Sequence, residues 1–350
     1  MIDNKFAIFS DLHLGIKQDS VVWHDIALEW CDWFISENKK RGIKNIVFLG
    51  DFFHSRNTIS TDTLHLASQI LDKLSIFNLY FILGNHDLHY ANIPDVSPVN
   101  LFNGRNNIRV FSKPEILNIC GKKVLFCGWG YDLSEYNADI LFTHAEINTF
   151  KYNTEVEPCT GGYQPSGLLK NYKVIYSGHF HLRQEKRWGE KRVIYVGNTF
   201  SMDHSDKVFL DKGFDILDLD NLESEFVKNT ISPRFYKTNL SYICDIEGDA
   251  GFNTLINNIR NNFCKLVIDK DISHDNTMTL LNLFNRYNPK DLTVEYENNK
   301  LFIENNTVAV SEVFDMVDAI KKYIEQIDIP NKEIVEDYII NLYKKAQEIS

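Results

Sequence analysis

Positive charge is what this 350-residue chain has too little of: 37 lysines and arginines stand against 48 acidic residues, a formal net charge of −11. Bulk attraction cannot then hold a polyanion, because phosphate binding rests on lysine and arginine. Any phosphate chemistry needs bound cations or a partner's charge instead. Cysteine is sparse too. Cys31, Cys120, Cys127, Cys159, Cys244 and Cys264 are scattered without a CxxC pair, which argues against a zinc knuckle or a disulfide frame and for reduced thiols in a cytoplasmic protein. No run of eighteen apolar residues exists, so no membrane span is expected. The start runs straight into a strand-like segment, without the basic flank and apolar core of an export signal. Low-complexity tracts and long repeats are missing. With 44% hydrophobic and 13% aromatic residues, the composition excludes disorder and provides for a sizeable core.

What is present, over the first two-thirds, is a recurring short apolar run that ends in a small polar cluster. The runs are Phe6–Phe9, Ile46–Leu49, Leu79–Leu83, Val124–Phe126, Ile140–Phe142, Val174–Tyr176 and Val193–Val196. Near-continuous apolar runs of this length fit buried strands. Between them, Val22, Trp23, Ile26, Trp30, Phe34 and Ile35 share one helical face, and Leu64, Ala67, Ile70, Leu71 and Leu74 share another after a cap at Ser60. This alternation predicts a layered α/β domain with a mixed sheet, closed by an edge strand at Gly213–Asp218. From about Tyr236 the style changes. Tyr242–Ile246, Lys265–Ile268 and Leu292–Tyr296 read as strands of a small α/β module, with helices near Phe252–Ile259 and Met278–Tyr287. The tail carries two helical stripes, at 313–324 and, after Pro330, at 334–346.

The chemistry lies in the clusters that end the strands: Ser10-Asp11-Leu12-His13-Leu14-Gly15, Gly50-Asp51, Gly84-Asn85-His86-Asp87, Thr143-His144 and Gly178-His179-Phe180-His181. Side chains at the carboxyl ends of strands gather in one crevice of an open α/β sheet. A DxH or HxH pair puts two ligands on the same side of an extended segment. Asp51 can bridge two ions and Asn85 offers a neutral oxygen. Carboxylate and imidazole together suit Mn²⁺, with Mg²⁺, iron or Zn²⁺ as alternatives. Two such ions about 3.5–4 Å apart clamp a phosphate and activate a water. Taken singly each cluster has a bland reading: SDLH or GD as a turn, His144 as a satisfied core histidine, GHFH as a strand end. All five in this order, each after an apolar run, make chance a poor explanation.

DxH, GD, GNHD, a later His and GHxH resemble the calcineurin-like metallophosphoesterase superfamily over roughly residues 5–220. The resemblance implies an α/β layered β-sandwich flanked by helices, and a dinuclear site. Asp11, His13, Asp51 and His181 would hold one ion; Asp51, Asn85, His144 and His179 would hold the other. His86 would be the catalytic histidine, stabilising charge or protonating the leaving group, with an orienting role beside Asp87 as the plainer alternative. Gly50-Asp51-Phe52-Phe53-His54 lacks the GDxVDRG of protein phosphatases. It resembles instead the SbcD-type double-strand-break repair nucleases, including the T-even phage recombination endonuclease subunits, in which the histidine matching His54 positions substrate.

That branch implies three parts: a nuclease domain at 1–225, a DNA-contacting cap at 226–305 and a helix–loop–helix at 306–350 that grips an SMC-like ATPase. It also implies a homodimer within a heterotetramer. The helix bearing Trp23, Trp30 and Trp33 is a candidate dimer surface and an equally good core. Arg183, Lys186, Arg187, Lys191 and Arg192 fall on a hairpin after the last cluster, either against a DNA backbone or as a solvated tip. The expected function is a Mn²⁺-dependent DNA nuclease, exonucleolytic on duplex ends and endonucleolytic on single strands, in recombination and repair. A small-molecule phosphodiesterase or phosphatase is the rival enzyme. A non-catalytic scaffold is disfavoured because every ligand position is filled.

Overall fold

A computed structural model describes residues 4–90, 96–105, 107–152, 156–206 and 211–297, together with 321, 324, 332 and 335–340. The chain separates into two compact units, Met1–Glu297 and Asn298–Ser350. In chain order the first unit runs β1 (Lys5–Phe9), a left-handed turn α1 (Ile16–Asp19), α2 (Val21–Lys40), β2 (Asn45–Phe48), α3 (Thr61–Leu74), β3 (Asn78–Ile82), β4 (Ile108–Phe111), β5 (Glu115–Ile119), β6 (Lys122–Cys127) and β7 (Ile140–His144). It continues with α4 (Pro165–Asn171), β8 (Val174–Gly178), β9 (Gln184–Trp188), β10 (Lys191–Tyr195), β11 (Gly213–Asp218), β12 (Ser224–Lys228), β13 (Phe235–Asn239), α5 (Leu240–Cys244), α6 (Gly248–Ile259), β14 (Phe263–Ile268), α7 (His274–Arg286) and β15 (Asp291–Tyr296).

Two six-stranded mixed sheets stack face to face, in the orders β12-β11-β1-β2-β3-β4 and β5-β6-β7-β8-β10-β9. Period-two alternation explains why the strands read as unbroken apolar runs. Phe6 and Ile8 of β1 face the second sheet, while Ala7 and Phe9 face α2 and α3. The second sheet divides likewise, with Phe126, Phe142 and Tyr176 inside and Leu125, Leu141 and Ile175 toward the α4 side. The result is an α/β/β/α layering with helices outside both sheets, and Ser60 caps α3 by accepting the Thr63 N–H at 3.0 Å.

The tryptophan helix α2 belongs to the core. Trp30 is fully buried, stacked on Phe34 at 5.0 Å, and Trp33 packs against the same cluster. Trp23 stacks on Phe263 at 5.2 Å and Phe235 at 6.2 Å, which fastens the third sheet, β13-β14-β15, onto α2. Truncating such a ring typically costs about 3–5 kcal/mol of stability, so these side chains form packing rather than a free docking face.

The third sheet is parallel throughout and carries its own core of Tyr236, Leu240, Leu255, Ile259, Leu266 and Phe284. One expectation fails in the first sheet, where β12 pairs outside Gly213–Asp218 and makes β11 an interior strand rather than the edge; another fails here. Tyr242–Ile246 is not a strand: the strand precedes it at Phe235–Asn239, and the chain then turns into α5. The Asn239 side chain accepts the Tyr242 N–H at 2.9 Å, a helix cap, and Tyr242 is exposed. In the second unit the described residues are helical at Lys321, Ile324, Lys332 and Val335–Ile340; most of the two apolar stripes lies outside the described residues.

Candidate metal centre

The tips of β1, β2 and β3 from one sheet and of β7 and β8 from the other bring the five clusters into one place. Their backbones are strained where it matters. Asp11, His13, Asp51 and His179 all adopt left-handed φ, at 56°, 46°, 59° and 89°, a conformation that non-glycine residues hold only when their surroundings impose it. Glycine is required beside them. A Cβ on Gly84 would collide with Asp51, and one on Gly178 with the Ser10 hydroxyl and His144.

Asp87 fixes the loop after β2. Buried, it accepts backbone N–H groups from Asp51 at 2.8 Å, Phe52 at 2.9 Å, Phe53 at 3.2 Å and Gly84 at 3.0 Å. These bonds hold the Asp51 loop against the turn that carries His86, and none of them reaches the His86 ring. Asp51 then stands at the centre, and its Oδ1 accepts the His86 backbone N–H at 2.8 Å. Its Oδ2 lies 3.8 Å from His13 Nε2 and 3.4 Å from His144 Nε2, so one carboxylate faces two groups.

The first group is Asp11, His13 and His181. His13 Nε2 and His181 Nε2 face each other at 3.0 Å, with Asp11 Oδ1 3.8 and 3.9 Å from them. Asp11 Oδ1 is buried without a hydrogen-bond donor. Burial keeps His13 well below the ordinary histidine range, hence neutral. The second group is Asp51, His144 and His179, joined by Asn85, whose Oδ1 lies 3.0 Å from both His144 Nε2 and His179 Nδ1. His144 Nδ1–H donates to the Leu49 carbonyl at 2.7 Å, so Nε2 is the nitrogen turned toward Asn85 and Asp51. Burial, reinforced by the charge on His144, brings His179 down to about 4.

Both groups fit a divalent cation. An orphaned buried carboxylate oxygen, and imidazole nitrogens and carboxylate or amide oxygens converging on one point, are what a cation would satisfy. Without one, a proton substitutes. Burial opposes charge on His144, but the Asp51 carboxylate outweighs it and lifts His144 to about 9. Binding Mn²⁺ at about pH 7.5 is therefore expected to release about one proton, since that imidazole must be neutral to ligate. The release should fade above pH 9, where His144 is already neutral. Heats of binding in buffers of different ionisation enthalpy measure this, and heats independent of buffer would refute it.

His54 and His86 border the first group and form a third set of nitrogens with His13. His86 Nδ1–H donates to the His54 carbonyl at 2.6 Å, which leaves Nε2 as the nitrogen free to exchange a proton. The two rings lie 6.0 Å apart at 20°. They line a cleft of about 660 Å³ with His13, Asp51, His179 and His181. Lys17 is the only lysine or arginine among its lining residues, in keeping with the scarcity of positive charge.

Three participants carry no mark in the sequence. Glu146 meets His179, the Trp129 ring lies tilted 5.0 Å from that of His179, and buried Lys212 donates to the His181 carbonyl at 2.9 Å while pairing with Asp206. Most of the basic hairpin, by contrast, is engaged by the protein itself. Arg183 pairs with buried Asp215 at 2.9 Å, Lys186 bonds the Thr149 carbonyl at 2.5 Å, Arg187 pairs with Glu185 at 2.7 Å, Lys191 bonds the Leu169 carbonyl, and Arg192 is buried on the Leu222 carbonyl. Arg183, Lys186, Lys191 and Arg192 hold β9 and β10 in place, and Arg187 stays exposed beside Glu185.

A family model described as calcineurin-like phosphoesterase matches residues 4–217. The chain belongs to this family. Among curated proteins, this phosphoesterase is similar to "Exonuclease subunit 1" of Enterobacteria phage T4, 29% identical over 238 residues, 64% of this chain and 68% of the relative. Among solved structures it is similar to an archaeal phosphodiesterase at 16% identity, covering 64% of this chain and 99% of the other, with a TM-score of 0.36. A putative 5'-nucleotidase from Staphylococcus aureus is also similar, at 16% identity over 63% of this chain and 52% of the other, with a TM-score of 0.41. The chain is thus a metal-dependent phosphoesterase with a nuclease relative. No helix of the described residues is long and apolar enough to cross a membrane.

Proposed function

We propose that this phosphoesterase is a Mn²⁺-dependent DNA nuclease, exonucleolytic on duplex ends and endonucleolytic on single strands. The observation that carries the reading is one carboxylate, Asp51, facing two imidazole–carboxylate groups beside a histidine whose Nε2 is free. Asp11, His13, Asp51 and His181 would hold one ion, and Asp51, Asn85, His144 and His179 the other. Bound there, two divalent ions would clamp a phosphodiester and lower the pKa of a water. The oxygen and nitrogen donors, with no thiolate among them, favour manganese over softer metals. His86 moves the proton at Nε2, on the leaving oxygen, and His54 sets the strand over the cleft. The similarity to a phage exonuclease subunit supports a nucleic-acid substrate and a multi-subunit setting.

The same reading makes the chain the nuclease subunit of a recombination and repair complex. Residues 226–305 would contact DNA and residues 306–350 would bind an SMC-like ATPase, with two copies per assembly. The test is full-length protein with Mn²⁺ on end-labelled duplex, single-stranded DNA and a chromogenic phosphodiester. Cleavage of both DNAs is expected, and turnover of the small ester alone would refute the nuclease. Removing residues 309–350 should leave cutting intact and abolish co-purification with the ATPase; retained association would move that surface elsewhere.

A further inference from the structure

We propose that Glu146 is a positioning residue: it fixes which nitrogen His179 presents to the second group, and so sets the affinity of that group for its ion. This inference rests on reading the second group as a metal centre. His179 occupies a strained left-handed position at the tip of β8 and has a different neighbour at each ring nitrogen. Nδ1 lies 3.0 Å from Asn85 Oδ1, on the side of His144 and Asp51. Nε2 lies 3.3 Å from Glu146 Oε1.

A neutral imidazole carries a single N–H, and the hydrogen bond made by one nitrogen decides the state of the other. With a carboxylate at Nε2 the proton stays there, and Nδ1 keeps its lone pair toward Asn85. Without that acceptor both tautomers are open. The one with hydrogen on Nδ1 would donate to Asn85 Oδ1, consuming two ligand atoms in one internal bond. Glu146 is itself held: Tyr152 donates its hydroxyl to the same Oε1 at 2.8 Å, and the Tyr152 ring stands 6.0 Å from that of His179, edge to face. The chain thus builds a relay, Tyr152 to Glu146 to His179, whose only output is the orientation of one imidazole. Carboxylates placed behind ligating histidines in this way commonly contribute about 10–100-fold to metal affinity.

The experiment is Mn²⁺ titration of full-length metal-free protein, by calorimetry and by the electron paramagnetic resonance of unbound Mn²⁺, on wild type, Glu146→Ala, Glu146→Gln and Tyr152→Phe. In Glu146→Ala one of two binding steps should weaken about 10–100-fold while the other is unchanged. Glu146→Gln keeps an oxygen acceptor without the charge and should fall between. Tyr152→Phe should weaken the same step by less. The melting temperature of the metal-free protein should hardly move, which separates positioning from a general structural role. Unchanged affinity in both Glu146 variants would overturn the inference. Equal weakening of both steps, together with a lowered melting temperature in Glu146→Gln, would overturn it too. Should wild type bind no Mn²⁺, the metal-centre reading itself falls, and this inference with it.

Discussion

Asp51→Asn is expected to remove the second Mn²⁺ equivalent and to lower kcat on DNA by about 10³-fold or more. The substitution is nearly isosteric. The backbone N–H groups of Asp51 and Phe52 remain bound by Asp87, and an amide oxygen can still accept the His86 N–H. What disappears is the negative charge on the oxygen that faces His13 at 3.8 Å and His144 at 3.4 Å. Among the described residues, no other carboxylate lies within 4 Å of imidazole nitrogens of both candidate groups. An anion shared between two divalent ions offsets their mutual repulsion, so its loss should weaken at least one site. Losing several kcal/mol of charge stabilisation at the scissile phosphate corresponds to about 10³-fold, at about 1.4 kcal/mol per factor of ten. Metal content after dialysis and single-turnover cleavage together check this. A variant that retained two ions and cut at the wild-type rate would show that Asp51 bridges nothing.

The candidate site was legible because each proposed ligand position lies at or just past the end of a buried strand. Phe6 to Phe9, Ile46 to Leu49 and Val174 to Tyr176 are covered on both faces, so they read as plain apolar runs that stop abruptly at polar residues. The runs alone predict one mixed sheet, whereas the strands divide between two six-stranded sheets; which strand joins which sheet is set by pairing between distant segments. What escaped notice depends on contacts across the chain. Glu146 sits two residues past His144, and nothing local tells that its carboxylate meets an imidazole 33 positions later. Lys212 is an unremarked lysine until Asp206, Asn198 and the His181 carbonyl surround it. Composition misled where charge was counted without partners: the hairpin cations looked available, yet Asp215, Glu185 and several carbonyls engage them. Propensity misled at Tyr242–Ile246, where β-favouring side chains outweighed the cap that Asn239 supplies.

His86→Gln should separate metal binding from catalysis. His86 touches the ligand framework through its backbone, whose N–H binds Asp51, and that bond does not depend on the side chain. The imidazole serves another purpose. With Nδ1–H held by the His54 carbonyl, only Nε2 can take up or deliver a proton. Its ring stands edge-on to His13 at 5.0 Å, beside the first group and facing the cleft. Glutamine retains polarity and reach but cannot carry a proton between water and a leaving oxygen. The expected result is a fall in kcat of about 10²–10⁴-fold, the usual contribution of a positioned general acid. KM and both Mn²⁺ affinities should stay near the wild-type values. A loss confined to kcat identifies an interaction made in the transition state rather than in substrate binding. If Mn²⁺ affinity fell in step with kcat, the His86 ring would belong to the ligand framework, and the leaving-group proton would have to come from water.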